Sequence, residues 1–255
     1  HDYILYVTAD DTKHCGSSSG GTVLAYASMC RRDSNDRPVM GYANFCPTEI
    51  DASPNKYKQQ YKTAKHEIAH ALGFTDDSWA RMRNEDGSRR TTVQNKQLYT
   101  CADNSKQEII APSSSTIARE TKRGKNVHLV VTERVKKVAQ AYYNCSSTNG
   151  AELEDQVGGG CLGSHWEERT MFDELMSPLA DHHYAGNRVS KFTLALFEDT
   201  GWYKANYSFA EPLKFGKNAG CDFLNKKCVD PSTGKALSVP KSTFCSSIND
   251  PNSCI

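Results

Sequence analysis

The clearest apolar period in the chain lies in residues 55–72. There Tyr57, Tyr61, Ala64, Ile68 and Leu72 recur at spacings of three and four. That period predicts a helix with those residues as its core-facing stripe, and Gly73 follows as a left-handed cap. Upstream, residues 2–9 (DYILYVTA), 22–29 (TVLAYASM) and 39–45 (VMGYANF) are rich in β-branched and aromatic residues and predict strands. The glycine- and serine-rich CGSSSGG and the polar RRDSNDRP between them predict loops.

Downstream, residues 76–126 are polar with weak periodicity and predict a long insertion with modest structure of its own. Residues 127–131 predict a short strand. Thr132 is the predicted cap of a helix carrying Val135, Val138, Ala139 and Tyr142 on one side. Glycines 158–160 and 163 predict a loop, and 190–200 a further helix stopped by Gly201. From about residue 205 the chain is rich in Cys, Pro and Lys, which predicts a disulfide-stapled region. The expected fold is α+β in three parts: 1–75, 76–204 and 205–255. No internal repeat is present.

Composition narrows the function. Lys+Arg number 31 and Asp+Glu 30 in 255 residues, so no charge bias points to nucleic acid or an anionic membrane. No apolar run is long enough for a transmembrane segment. The ten cysteines are even in number and dispersed, which predicts disulfides and an oxidising, extracellular or cell-surface setting. Two Asn-x-Ser triplets, at Asn144 and Asn206, are compatible with that setting. The chain opens at His1 without an initiator Met, which predicts a processed or trimmed product.

The candidate chemistry sits in HEIAHALGF, residues 66–74. On a helix, His66 and His70 share a face and can grip one metal ion, with Glu67 beside them. They lie off the apolar stripe, which suits ligands projecting into a cleft. A third ligand is required, and two candidates stand. In metzincin zinc peptidases the pattern runs H-E-x-x-H-x-x-G-x-x-H. Here Gly73 is present, but Asp76 occupies the last position, and a carboxylate is a permissible zinc ligand. His165, after the glycine-rich loop, is the other candidate. Met176 follows it in DELMSP, and a methionine in a tight turn beneath the zinc is the second metzincin hallmark.

Six motifs occur in order along the chain: HEIAHALGF, RGKN at 123–126, EDQVGGGCLGSH ending in His165, DELMSP around Met176, LFEDTGWY and NAGCDFLNKKC at 218–228. In these the chain resembles the leishmanolysins, including the invadolysin-like members of animals and protists. The resemblance implies a metzincin-type catalytic domain interrupted by an insertion before the third histidine. It implies His66, His70 and His165 as ligands of one catalytic Zn2+, Glu67 as general base and Met176 as the Met-turn residue. Asp76 then recedes as a ligand.

The resemblance also implies that the strand before the zinc helix pairs with extended substrate, which selects Gly41, Tyr42, Ala43 and Asn44. An ordinary covered edge strand is the competing reading of those residues. A Cys145–Cys221 disulfide is implied as well. Cys101 and Cys161 look like additions to the family pattern, and pairing them would staple the insertion to the loop before His165. A pro-segment, whose cysteine blocks the zinc in such enzymes, and a further Cys-rich C-terminal region are expected outside this chain.

The implied activity is zinc metalloendopeptidase cleavage of proteins or peptides through a zinc-activated water. The rival is a catalytically silent adhesion or scaffold protein with a structural zinc. Other residues read as structural. Trp166 and Trp202 pack the interior, and His128 belongs to a strand. His182 and His183 lie in a loop, while His1 and His14 have no partner in sequence. Glu174 anchors the turn before Met176. Arg89-Arg90 and Lys122-Arg123 are solvated charge.

Overall fold

The computed structural model describes residues 2–18, 21–101, 103–155, 160–178, 187–228, 232 and 233. The architecture is mixed α+β. Strand β1 (Ile4–Thr8) is followed by a hairpin of β2 (Gly16–Ser18) and β3 (Gly21–Val23), then by β4 (Ala25–Arg32) and β5 (Pro38–Phe45). One sheet has the order β1-β5-β4. Strand β5 runs parallel to β1, with Leu5 opposite Gly41, and antiparallel to β4, with Ala27 opposite Ala43. A Cys15–Cys46 disulfide ties the β2 loop to the end of β5.

This order corrects the substrate-strand expectation. The backbones of Gly41, Tyr42, Ala43 and Asn44 are paired on both sides, to β1 and to β4. A central strand has no free donors or acceptors to offer a peptide. Among the described residues, the unpaired edge on that side of the sheet is β4.

Helix α1 (Pro54–Ala71) begins with Pro54, whose missing N–H costs nothing in a first turn. It ends in a paired reverse bond: Gly73 N donates to His70 O, and Phe74 N to Ala69 O. That closure needs a left-handed residue, and Gly73 has φ of +117°. A Cβ there would also press on the Trp202 ring at 3.1 Å.

The expected stripe of α1 does not face the core. Tyr57, Tyr61 and Ile68 are exposed, while Glu67, Ala69, His70 and Ala71 are buried. Periodicity marks a face of a helix without saying which face the sheet will cover. Here the end of α1 meets the sheet through small residues, and Tyr3 donates its hydroxyl to Ala71 O at 2.7 Å. The exposed tyrosines stack on each other instead, with Lys65 over the Tyr61 ring.

Residues 76–126 are more ordered than their composition predicts. They form a short helix α2 (Asp76–Trp79) and a hairpin of β6 (Gln97–Thr100) and β7 (Lys106–Ile109). Strand β8 (Ile117–Lys122) then pairs with β9 (Lys125–Val130), and β10 (Ala151–Glu152) joins the other edge of β9. Polar residues on the open faces hide these strands from a hydrophobicity count. The β8–β9 turn uses Arg123 and Gly124 with φ of 55° and 80°, the left-handed pair that a two-residue hairpin needs. Arg123 is not solvated as expected. Its guanidinium forms a buried ion pair with Glu152 and donates to Leu224 O, and Lys122 beside it is buried too.

Helix α3 (Glu133–Tyr143) buries Val135, Ala139 and Tyr143. Its first N–H groups are satisfied from a distance. The Thr132 hydroxyl makes no hydrogen bond among the described residues, and the carboxylate of Asp199 accepts from the backbone N–H of Arg134 and Val135. A short helix α4 (Glu168–Met171) follows. Asp199 ends α5 (Lys191–Asp199), which the Ser190 hydroxyl caps, and α6 (Gly220–Asn225) comes last among the described helices. The main core runs from the end of α1 to α6. Phe74, Trp79, Trp166 and Phe192 meet edge to face at 5.2–6.3 Å. The indole N–H of Trp166 donates to Thr193 and that of Trp79 to Gly163 O, so neither buried ring carries an orphan donor.

Cys101–Cys161 and Cys145–Cys221 are both formed. Cys30 and Cys228 form no disulfide among the described residues, while Cys245, Cys254 and most of the expected Cys-rich region lie outside them. No described helix is long and apolar enough to cross a membrane.

Candidate metal centre

Three imidazoles meet at one point. The Nε2 atoms of His66 and His70 are 3.0 Å apart, and that of His165 lies 3.2 Å from the first and 3.1 Å from the second. Each Nδ1 faces an oxygen that can only accept. His66 donates to Leu175 O at 2.7 Å, His70 to Phe74 O at 2.7 Å and His165 to Glu154 Oε1 at 2.6 Å. With every Nδ1 protonated, the three Nε2 lone pairs point at one another. Desolvation and the neighbouring His165 push the His66 pKa down to about 3, and desolvation with the neighbouring His66 and His165 holds His70 well below its ordinary value. Lone pairs held this close call for a cation between them. Zn–N bonds of about 2.0–2.1 Å in a tetrahedron place nitrogens roughly 3.3 Å apart, so the donor set fits zinc.

Local structure explains each placement. His66 and His70 are one turn apart on α1. The left-handed Gly73 turns the chain so that Phe74 O meets His70. His165 follows Gly163, whose φ of +84° and close approach to Glu154 O exclude a side chain. The segment carrying His165 lies antiparallel to the end of β10: Leu153 bridges Trp166, and Glu154 N donates to His165 O. This ladder sets Glu154 opposite His165, where its carboxylate also takes the N–H of Ser164.

Leu175 O is delivered by a tight segment that Glu174 organises. The buried Glu174 carboxylate accepts from Met176 N, from Ser190 N and Oγ, and from Thr193 Oγ1. Burial still pushes its carboxyl up to about 7. Met176 is fully buried, and its carbonyl accepts from Trp166 N.

Glu67 lies on the wall shared with β4. Its buried carboxylate accepts the backbone N–H of Ala27, and desolvation raises it to about 7. The site opens on a cleft of about 1210 Å³. Strand β4 and the preceding 22–24 form one side, α1 from Lys56 to His70 another, and Ser164, Ser177 and Pro178 close it.

Asp76, the other candidate ligand, lines this cleft without joining the histidines. Its carboxylate takes the backbone N–H groups of Asp77 and Cys161. A second cluster, Glu152, Asp155 and Glu167, is balanced by Arg123 and Lys125. His182 and His183 lie outside the described residues. Sequence reasoning missed Glu154 and the Ala27 N–H. Glu154 is the first residue of the EDQ motif, a position that signalled it; a backbone donor on a neighbouring strand leaves no signal.

The family model described as leishmanolysin, a peptidase family, matches residues 1–255. The chain belongs to the leishmanolysin family. It is 40% identical over 241 residues to a leishmanolysin-like peptidase of Drosophila melanogaster, covering 90% of this chain and 34% of that protein. It is 39% identical over 236 residues to a leishmanolysin-like peptidase of Caenorhabditis elegans, covering 89% and 35%. Leishmanolysin of Leishmania major is 31% identical over 256 residues, covering 99% and 34%. The chain thus spans about a third of the length of these relatives. The α+β fold with its disulfides fits a leishmanolysin domain, and the family's general zinc dependence agrees with the donor set.

Proposed function

We propose that this leishmanolysin domain holds the catalytic centre of a zinc metalloendopeptidase. The observation that carries the proposal is the convergence of three Nε2 atoms beside Glu67 on the wall of an open cleft. His66, His70 and His165 would hold one zinc ion, which supplies Lewis acidity toward a peptide carbonyl and toward water. Three protein donors with a cleft on the remaining side suit catalysis, whereas a structural zinc is closed by four. This favours the enzyme over the scaffold reading.

Glu67 accepts the proton of the attacking water as its oxygen bonds to the scissile carbonyl carbon. It then donates that proton to the leaving amide nitrogen as the C–N bond breaks. The Ala27 N–H holds the carboxylate in place meanwhile. The edge of β4 that no described strand covers can receive an extended peptide by backbone pairing, at groups other than the Ala27 N–H that Glu67 holds. Met176 takes the place of the metzincin Met-turn residue, and Glu174 fixes that turn. The family supports protein or peptide substrates, and with the three disulfides among the described residues it supports an extracellular or cell-surface setting.

The test uses the full-length protein, its zinc content and an unfolded labelled protein substrate. One zinc per chain, cleavage abolished by chelator and restored by zinc, and a Glu67→Gln variant that keeps zinc but loses cleavage are expected. Zinc-loaded protein that cleaves nothing, or an active Glu67→Gln, overturns the proposal.

A further inference from the structure

The loop after α5 carries a chemistry separate from the histidines. Asn206-Tyr207-Ser208 is an Asn-x-Ser triplet, the acceptor pattern for N-linked sugar. Asn206 is exposed and leads into a single 3-10 turn, Tyr207–Phe209. Its Oδ1 accepts from the Ser208 N–H at 3.1 Å and from the Ser208 hydroxyl at 2.8 Å. Its Nδ2 makes no hydrogen bond among the described residues. Tyr207 pins the turn by donating its hydroxyl to Glu198 at 2.7 Å, and Glu211 N bonds Val189 O just beyond.

Phe209 gives the second observation. At 74% it has the highest exposure of the large hydrophobic side chains among the described residues. Phe209 N donates to Asn206 O at 3.2 Å, so Phe209 closes the turn that Asn206 opens. An apolar ring left bare beside an acceptor asparagine is suited to the C–H face of a sugar. Among the described residues, no exposed large hydrophobic side chain stands within three positions of Asn144 in the chain. Asn144 ends α3 with left-handed backbone, and Cys145 is buried in its disulfide.

We propose that Asn206 is an N-glycan acceptor and that its first sugar rests on Phe209. The donor is a lipid-diphosphate-linked oligosaccharide. The bond from Nδ2 to sugar C1 forms, the bond from C1 to the diphosphate oxygen breaks, the lipid diphosphate leaves, and Nδ2 loses one proton. The proposal rests on the extracellular or cell-surface reading above.

The test sends the full-length protein through the eukaryotic secretory pathway on an appended signal sequence and maps its glycopeptides. A glycan on Asn206 is expected, and Asn206→Gln should lose one glycan in mobility while keeping peptidase activity. Removing the glycan enzymatically should lower Tm, and that difference should vanish in Phe209→Ser. Secreted, disulfide-bonded protein with bare Asn206, or with sugar at Asn144 alone, overturns the acceptor site while the compartment reading stands. A Tm difference that persists in Phe209→Ser overturns the platform. Native protein found reduced inside cells overturns the compartment reading instead.

Discussion

Glu154 Oε1 stands 2.6 Å from His165 Nδ1 and so decides which nitrogen of that ring faces His66 and His70. Of the three histidines, only His165 has a side chain rather than a backbone carbonyl behind it. Its orientation is therefore the one open to mutation. Loss of such a partner lowers metal affinity by about 10–100-fold. Glu154→Ala should weaken zinc by that factor. Glu154→Gln, whose amide oxygen still accepts from Nδ1, should lose about tenfold or less. Competition against a chelator of known affinity measures both, and equal affinity in Glu154→Ala and wild type would sink the assignment.

The Cys101–Cys161 disulfide closes a loop across a sequence separation of 60 and ends four positions before His165. It joins the inserted hairpin to the chain that returns to the site. Replacing both cysteines by alanine should cost about 2–4 kcal/mol of stability. It should also weaken zinc, because the return loop then loses its one covalent tie to the insertion and is held by hydrogen bonds such as Trp79 Nε1 to Gly163 O and Ser164 N to Glu154. Denaturant unfolding and zinc competition on the same double variant check both parts. A stability loss with unchanged zinc affinity would show that the return loop stands without the staple.

Arg123 and Glu152 form an ion pair with side chains 5% and 3% exposed, so water screens neither charge. Removing one partner strands the other. Arg123→Met should destabilise by about 3–5 kcal/mol, and Arg123→Met with Glu152→Leu by clearly less, since replacing a whole buried pair is often close to neutral. Urea midpoints at constant m-value measure this. If the double variant is as unstable as the single, the bond from Arg123 to Leu224 O, which anchors α6, carries the stability instead.

These relationships differ in how far the sequence reveals them. A four-residue spacing suffices to set His66 and His70 on one face, because helix geometry alone does that. Gly73 is legible for the same reason, as its conformation is local. His165 lies across an insertion, and only the family resemblance singles it out before the fold is known. The Cys101–Cys161 and Cys145–Cys221 pairings likewise needed more than cysteine counting. What stays illegible is decided by packing. The covered face of α1, the central place of β5, the Asp199 carboxylate at the start of α3 and the burial of Arg123 all depend on elements far away in sequence.

His128 on β9 is a further case, since a strand position does not disclose its protonation. His128 is 1% exposed; Tyr99 bonds its Nε2 at 3.1 Å, and its Nδ1 has no hydrogen-bond partner among the described residues. Burial, followed by the Arg119 charge, lowers its pKa to about 4, against a smaller opposing pull from Asp155. The unfolded imidazole titrates near 6.5. As pH falls through 6.5 the unfolded chain takes up a proton that the folded chain refuses until about pH 4. Stability from this group is therefore complete above pH 6.5, falls between 6.5 and 4, and is level below. The loss reaches about 3 kcal/mol at most. His128→Gln keeps an acceptor for Tyr99 and removes the titration, so its unfolding free energy should fall less steeply than that of wild type across this window. Urea unfolding of both proteins in parallel, at several pH values between 4 and 7.5, measures the difference. Other titrating groups are common to both and cancel. Parallel curves would mean that His128 is solvated or charged in the folded protein.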